Sequence, residues 1–476
     1  MKIKKIIIYS LILHIVAAFF SSGFHKFDEH FQIIEFLNYK LGGIAGNELA
    51  WEFREHIRPW FQVFTYWVTI QPFKLLGVEN PFFLAFFLRL ISSLFGWYST
   101  NQLWPLIDRW FKSDKNKIWA FALMHFCWFA PYILTRASAE SFSISFFALG
   151  LSWLLTKQSS LWMILSGLAF GLAYQSRFHS ALPVACVWIG LLVTKQLEVK
   201  KLVLCAVGVL IGFGSGFLFD YWGYGIWSFS LWHFYRTNFL EGIMAHVQHY
   251  PWYYYLRWSF LRGIVPVSLP LIIASLCFWI KKPKHVLTWA TLPLFIFHSM
   301  VGHKELRYVF PVIIFSPLML MMMIEAYQEK VDQWLTRKWV RGLTKTIISI
   351  NIIVLLFVSF KPANVSVPFY QYVWGSKITK MYVRDEDPFS MLGLPIKFYR
   401  PKNLETIIFR DFSEIPIGVM ASDRYIFVRS GEDMINLASD QNCELLYSTY
   451  PRWLLKFNYS NWISRSRVWS LFNCQM

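Results

Sequence analysis

The chain has 476 residues, of which 56% are hydrophobic, 20% aromatic and 16% charged, with a formal net charge of +18. So much apolar side chain exceeds what a soluble domain can hide, which leaves a protein that crosses a membrane several times. The positive charge does not point to nucleic acid, because most basic residues fall in short loops between apolar runs, where they set orientation.

In chain order, the first apolar run covers about residues 4–23. No small-residue cleavage site follows Leu11–Phe20, so it is expected to persist as a first helix and not as a removed signal. A long polar loop, Phe24–Pro59, comes next. Trp60–Leu76 is apolar but short and interrupted by Gln71, Pro72 and Lys74, so it is expected to lie at the membrane interface. Further spans are predicted over 81–104, 118–134, 139–156, 160–176, 179–194, 201–219, 260–280, 285–301, 308–326 and 344–360. That makes about eleven crossings of a hydrocarbon layer ~30 Å thick.

The basic clusters alternate with these spans. Lys2/Lys4/Lys5, Arg109/Lys112/Lys115/Lys117, Lys157, Lys195/Lys200/Lys201, Lys281/Lys282/Lys284 and Lys330/Arg337/Lys338/Arg341/Lys345 are all assigned to the cytoplasmic side. The remaining loops, Phe24–Pro59, Thr135–Ser138, Ser176–Ser180, Asp220–Arg257, Gly302–Arg307 and the segment from Lys361, then open on the outer face. The expected organisation is a membrane core over 1–360, with 25–59 as its first outer loop, and an outer-face domain over 361–476.

Two features inside this map have structural readings. The run "GVLIGFGSGF" lies within an apolar span and is read as close helix packing, not as a phosphate loop. The segment Phe219–Trp258 is dense in aromatics, which suits either an interface belt or a sugar platform; Asp220 and Asn238 are its polar candidates. After Lys361 the runs "TIIF", "YIFVR", "CELLYS" and "VWSLFNC" are expected to be strands of a small α/β domain. An oxidising outer compartment would allow a Cys443–Cys474 disulfide, the other four cysteines falling in helices.

The charged residues at outer helix ends are the ones that call for chemistry. Asp28 and Glu29 are adjacent acids after the first helix, and partial burial beside a bilayer would raise a carboxylate toward the range of a general base. In "SMVGHKELRYVFPVII", His303, Lys304, Glu305 and Arg307 stand between two apolar runs, on the face where orientation does not call for positive charge. The acidic triplet Asp385-Glu386-Asp387 precedes Pro388 with no nucleotide-binding pattern beside it, and no metal or other cofactor is expected.

Together these motifs resemble glycosyltransferase family 22, the polyprenyl- or dolichyl-phosphate-mannose-dependent α-mannosyltransferases of GPI-anchor and N-glycan assembly. The late His303-Lys304-Glu305-Leu306-Arg307-Tyr308 matches the family's His-Lys-Glu-x-Arg-Phe/Tyr throughout. Lys26-Phe27-Asp28-Glu29, followed by Gln32 and Glu35, resembles its His-Pro-Asp-Glu, Gln and Glu loop, with Lys26-Phe27 as the departure. Trp51-Glu52-Phe53 followed by Arg58-Pro59, and "TRASAE" over Thr135–Glu140, also look like family segments.

The resemblance implies an all-α polytopic core of the type C glycosyltransferase fold, acting at the periplasmic or lumenal face of a bacterial inner membrane or endoplasmic reticulum membrane. It implies a lipid-phosphate sugar as donor and a glycan or glycolipid as acceptor. Asp28 and Glu29 would be catalytic, and His303, Lys304, Arg307 and Arg136 would bind the donor phosphate. Glu305, Glu35, Glu52, Arg58, Arg177 and Asp220 would support them or hold acceptor. A relative using another polyprenyl-phosphate sugar is the nearest alternative. A non-enzymatic transporter is the distant one, disfavoured because the charges cluster at one face and no internal repeat is visible.

Overall fold

The computed structural model describes residues 2–243, 249–384, 386–410, 425–428, 443–465 and 468–474. The chain divides into two compact units. The first gathers Met1–Ser21, Glu52–Gln71 and Phe87–Lys361; the second gathers Ser22–Trp51, Pro72–Phe86 and Pro362–Met476. The division at Lys361 falls where the composition changes. Residues 22–51 cluster with the C-terminal segment in the second unit.

The first unit is a helical bundle. Helices occupy every predicted span, including Lys2–Phe20, Pro81–Asn101, Ala139–Thr156, Ser160–Ser176, Ala181–Val193, Val199–Tyr224 and Lys338–Phe360. Among the described residues, six are long and apolar enough to cross a membrane, or seven if Val265–Lys281 and Val286–Met300, bent by 113°, count as one. The difference from eleven lies in length: Ala181–Val193 has 13 residues and Ser160–Ser176 has 17. At ~1.5 Å per residue these fall short of a full hydrocarbon thickness.

Two predicted spans are broken. The 118–134 stretch is two helices, Asp114–Phe126 and Phe129–Leu134, parted by extended backbone at Cys127. Asn351, on Lys338–Phe360, repairs the break: its Nδ2 donates to the Phe126 carbonyl at 2.8 Å and its Oδ1 accepts from the Trp128 amide at 3.0 Å. Irregular backbone inside a membrane protein needs such partners. The 260–280 stretch likewise becomes Tyr254–Arg262 and Val265–Lys281, parted at Gly263 and at Ile264, whose φ is 64°. Pro266 stands in the first turn of the new helix, where its missing N–H leaves no intrahelical bond unmade.

Phe61–Leu75 is a helix of 15 residues. One face of it packs into the bundle, with Tyr66 and Ile70 fully buried. The Tyr66 hydroxyl lies 2.6 Å from Ser92 Oγ, and Gln62 Nε2 donates to Tyr66 and to the Ser138 carbonyl.

The glycine run packs as its sequence implies. Helices Ser160–Ser176 and Val199–Tyr224 meet through Gly167, Gly171, Gly208 and Gly212. A Cβ on Gly167 would overlap the Cys205 carbonyl oxygen, and one on Gly208 would overlap that of Ile164. Only small residues allow backbones this close.

The second unit contains a five-stranded sheet. Its strands are β1 (Lys380–Arg384), β4 (Glu405–Phe409), β5 (Tyr425–Val428), β6 (Cys443–Ser448) and β7 (Ser470–Cys474) in the order β4-β1-β5-β7-β6; a short pair, β2 (Ser390–Met391) and β3 (Leu394–Pro395), stands apart. The β1–β4 and β1–β5 pairs are parallel, the others antiparallel. Four strands coincide with the apolar runs read from sequence, and β1, "KMYVR", was not foreseen. Cys443 is disulfide-bonded, and the β6–β7 register sets Cys474 directly opposite it. Asp385 lies outside the described residues, while Asp387 accepts from Thr406 Oγ1 at 3.1 Å and the Phe389 amide at 2.9 Å.

Candidate functional site

Within the second unit, the first loop folds onto the segment around residue 397. Phe27–Glu29 forms a single helical turn that runs through a wide turn, His30–Ile34, into the helix Glu35–Lys40. Asp28 is half-buried, while Glu29 is buried and its Oε2 accepts from the His25 amide at 3.4 Å. Glu35 is only 1% exposed. Its Oε1 accepts from His30 Nε2 at 3.0 Å, the Lys397 amide at 2.8 Å and the Phe398 amide at 3.0 Å, and its Oε2 accepts from Asn38 at 2.9 Å. That carboxylate ties the first loop to residues 397–398. Lys397 Nζ also reaches Glu48 at 2.5 Å, and Tyr399 stacks on His30 at 5.6 Å and on Phe82 at 5.2 Å.

Within the bundle, the late motif forms a charged cluster. Arg307 Nη2 lies 2.7 Å from Glu305 Oε1, and its Nη1 lies 3.5 Å from Glu140 Oε1. The same Glu140 oxygen is 2.8 Å from Arg177 Nη2. Glu305 Oε1 also accepts from the Tyr308 hydroxyl at 3.3 Å and lies 3.6 Å from His303 Nε2. Both guanidiniums lie by the Tyr308 ring, at 5.6 and 5.8 Å from its centroid. His179 packs edge-on against His298 and tilted against Tyr308. Glu140 occupies the first turn of its helix, where the positive end of the helix dipole suits a carboxylate.

Lys304 has a different neighbourhood from its motif partners. It is 3% exposed, and its ammonium donates to the carbonyls of Tyr250, at 3.0 Å, and Val301. Burial holds its pKa below the ordinary lysine range. Its charge therefore staples the 301–305 loop to Tyr250, whose amide in turn donates to the Gly302 carbonyl at 2.9 Å.

Other expected site residues carry backbone. Arg136 donates to the Ser21 carbonyl at 2.9 Å, and Arg89 to that of Ala18 at 3.0 Å, so two arginines hold carbonyls at the end of the first helix. Asp220 accepts from the amides of Trp60, at 3.2 Å, and Ser230, at 2.8 Å. Arg58 lies 3.6 Å from Glu52, and its amide and carbonyl both bond the Tyr224 hydroxyl. Asn238 donates to the Phe234 carbonyl at 2.8 Å.

Thus the bundle brings Arg177, Arg307, His303 and Glu305 together around Glu140, a residue to which the sequence pattern assigned no role. His179, His298 and Arg89 were missed as well. Arg89 had a signal: a lone charge inside an apolar span. Among the described residues no group of three or more metal-ligating side chains converges.

The sequence profile described as the Alg9-like mannosyltransferase family matches residues 5–380. The chain belongs to this family. Among relatives, GPI α-1,2-mannosyltransferase 3 of Mus musculus is 25% identical over 316 residues, covering 65% of this chain and 57% of the relative. Mannosyltransferase APTG1 of Arabidopsis thaliana is 24% identical over 324 residues, covering 65% and 56%. The chain thus spans a little over half the length of these curated relatives. In fold, the chain is similar to ArnT from Cupriavidus metallidurans bound to undecaprenyl phosphate, with a TM-score of 0.57, 12% identity, and coverage of 99% of this chain and 98% of that one. The expected type C glycosyltransferase architecture, a helical membrane core with a small sheet-bearing C-terminal part, is therefore the fold of this family member.

Proposed function

We propose that this protein is an inverting glycosyltransferase that moves mannose from a polyprenyl- or dolichyl-phosphate-linked donor to a hydroxyl of a glycan or glycolipid, at the outer face of its membrane. The observation that carries the reading is the complete His303–Tyr308 motif, with Arg307 held between two carboxylates, in a chain matched to mannosyltransferases over residues 5–380. The names of the relatives, GPI and dolichyl-phosphate-mannose enzymes among them, agree with a lipid-linked donor.

The chemistry is a single displacement. The acceptor hydroxyl attacks the anomeric carbon while Asp28 takes its proton, and Glu29 holds the acceptor or tunes Asp28. The carbon–oxygen bond to phosphate breaks and its electron pair leaves with the polyprenyl phosphate. A β-linked mannose so becomes an α-mannoside. Charge grows on the phosphate oxygens, and a preorganised guanidinium such as that of Arg307 stabilises it, with two oxygens within reach of one fork. His303 adds a further donor, and Glu305 orients both.

The test is incubation of the purified protein with polyprenyl-phosphate mannose, glucose and arabinose, and a panel of glycan and glycolipid acceptors. Mannose alone should transfer, giving a product sensitive to α-mannosidase. Transfer of another sugar in its place, or of none, would overturn the reading.

A further inference from the structure

The strongest unassigned feature is a small pocket in the bundle, walled by Glu140, Arg177, His179, Ser180, Arg307 and Tyr308 and floored by apolar residues such as Phe147 and Leu294. Two guanidiniums from different elements converge there on one carboxylate oxygen, Glu140 Oε1, at 2.8 and 3.5 Å. A point where two fixed guanidiniums meet on a single oxygen has the geometry of an oxyanion position. Two more donors belong to the same wall. Arg177 Nε and Ser180 Oγ are buried and make no hydrogen bond within the protein, and Ser180 is only 7% exposed. Buried donors without partners are costly, which favours a ligand that satisfies them.

The motif's other cation does not serve this position. Lys304 gives its donors to the Tyr250 and Val301 carbonyls. We propose that the donor phosphate is held by Arg177 together with Arg307, with Ser180 as a further donor, and that Glu140 Oε1 marks the position a phosphate oxygen takes. This rests on the lipid-phosphate donor of the proposed function and moves the grip from Lys304 and Arg136 to Arg177. The apolar floor fits an amphiphile whose charged group is a phosphate. A phosphate oxygen entering between the guanidiniums displaces Glu140 Oε1, so Glu140 is a positioning residue that keeps the pair preorganised.

The experiment measures binding, not transfer, so it stands apart from the sugar assignment. The full chain in nanodiscs is titrated with polyprenyl monophosphate, with polyprenol, and with inorganic phosphate, by native mass spectrometry and ligand-induced change in melting temperature. Unmodified protein should prefer polyprenyl monophosphate over polyprenol at least tenfold. Arg177→Ala should abolish that preference while leaving polyprenol binding unchanged. Arg177→Lys, which keeps the charge and the fold, should retain part of it because the planar fork is lost. A merely structural Arg177 would weaken both lipids together. Equal preference in unmodified protein and Arg177→Lys or Arg177→Ala would overturn the proposal. So would Arg177-dependent binding of inorganic phosphate that matches the lipid in affinity, since the site would then take a free anion. Arg177-dependent lipid-phosphate binding without mannose transfer would sustain the site and refute only the sugar.

Discussion

Arg307 and Glu305 stand two residues apart with Nη2 and Oε1 separated by 2.7 Å, and the turn Leu306–Val309 between extended Glu305 and the helix beyond it sets that spacing. The pair fixes one edge of the guanidinium fork, and Glu140 faces the other terminal nitrogen at 3.5 Å. Glu305→Gln keeps the shape but removes the charge that orients the fork. Turnover should fall by about tenfold, less than the 10²–10³ expected for deleting a transition-state donor outright. Arg307→Ala should show that larger loss. Initial rates at saturating acceptor, normalised to monodisperse protein, check both, and a Glu305→Gln rate equal to the unmodified one would show that the pair does not orient anything that matters.

Lys304 makes a contrasting prediction. With its ammonium on two backbone carbonyls, Lys304→Met leaves buried acceptors unpaired. The melting temperature should drop by several degrees, from a loss of about 1–3 kcal/mol, while turnover per folded molecule stays within threefold. A large loss of turnover at unchanged melting temperature would return Lys304 to the phosphate.

Helix packing gives the cleanest control. Gly167→Ala drives a methyl into the Cys205 carbonyl oxygen, and the helices Ser160–Ser176 and Val199–Tyr224 must part. Overpacking of this kind costs roughly 1–3 kcal/mol. Gly214→Ala, in the same glycine run, meets nothing within 4 Å and should be neutral or slightly stabilising. Thermal unfolding in detergent separates the two, and equal effects would mean that the close approach does not govern stability.

These contrasts mark what the sequence could and could not disclose. Strands β4, β5, β6 and β7 were legible because β-branched and aromatic runs there are bounded by polar residues, whereas β1 is flanked by Lys380 and Arg384 and hides among charges. The helix breaks at Cys127 and Gly263 were not legible as breaks. The first depends on Asn351, more than 200 residues away, and nothing local to residues 126–128 names that partner. The late motif was legible as a charged insertion between apolar runs, yet the division of labour inside it was not. Whether Lys304 faces a ligand or a carbonyl depends on Tyr250, in a segment that composition describes only as aromatic. Glu35 is the same case, since its partners Lys397 and Phe398 lie at the other end of the chain.

The disulfide is a prediction of register. Cys443 and Cys474 face each other across β6 and β7, and Cys127, Cys186, Cys205 and Cys277 are free. Non-reducing digestion of freshly isolated membranes should yield one linked peptide containing Cys443 and Cys474. Recovery of both as alkylated thiols would reject the bridge and, with it, the oxidising compartment that the outer-face assignment requires.

The last prediction separates two carboxylates of the first loop. Asp28 is half-buried, whereas Glu35 is buried and accepts four hydrogen bonds. If Asp28 takes the acceptor proton, Asp28→Asn should lower turnover by roughly 10²-fold or more while donor binding and melting temperature hold. Glu35→Gln should do the reverse. Its amide nitrogen replaces an oxygen that receives only donors, so one of those contacts becomes donor against donor. The loop then loosens from residues 397–398, the melting temperature falls, and turnover per folded molecule declines only modestly. Measured side by side, the two variants decide whether the acid that does chemistry is the one with its oxygens already committed. If Asp28→Asn turns over at a near-native rate while Glu35→Gln stops transfer in well-folded protein, the base assignment moves to Glu35 and its four partners become a means of tuning it.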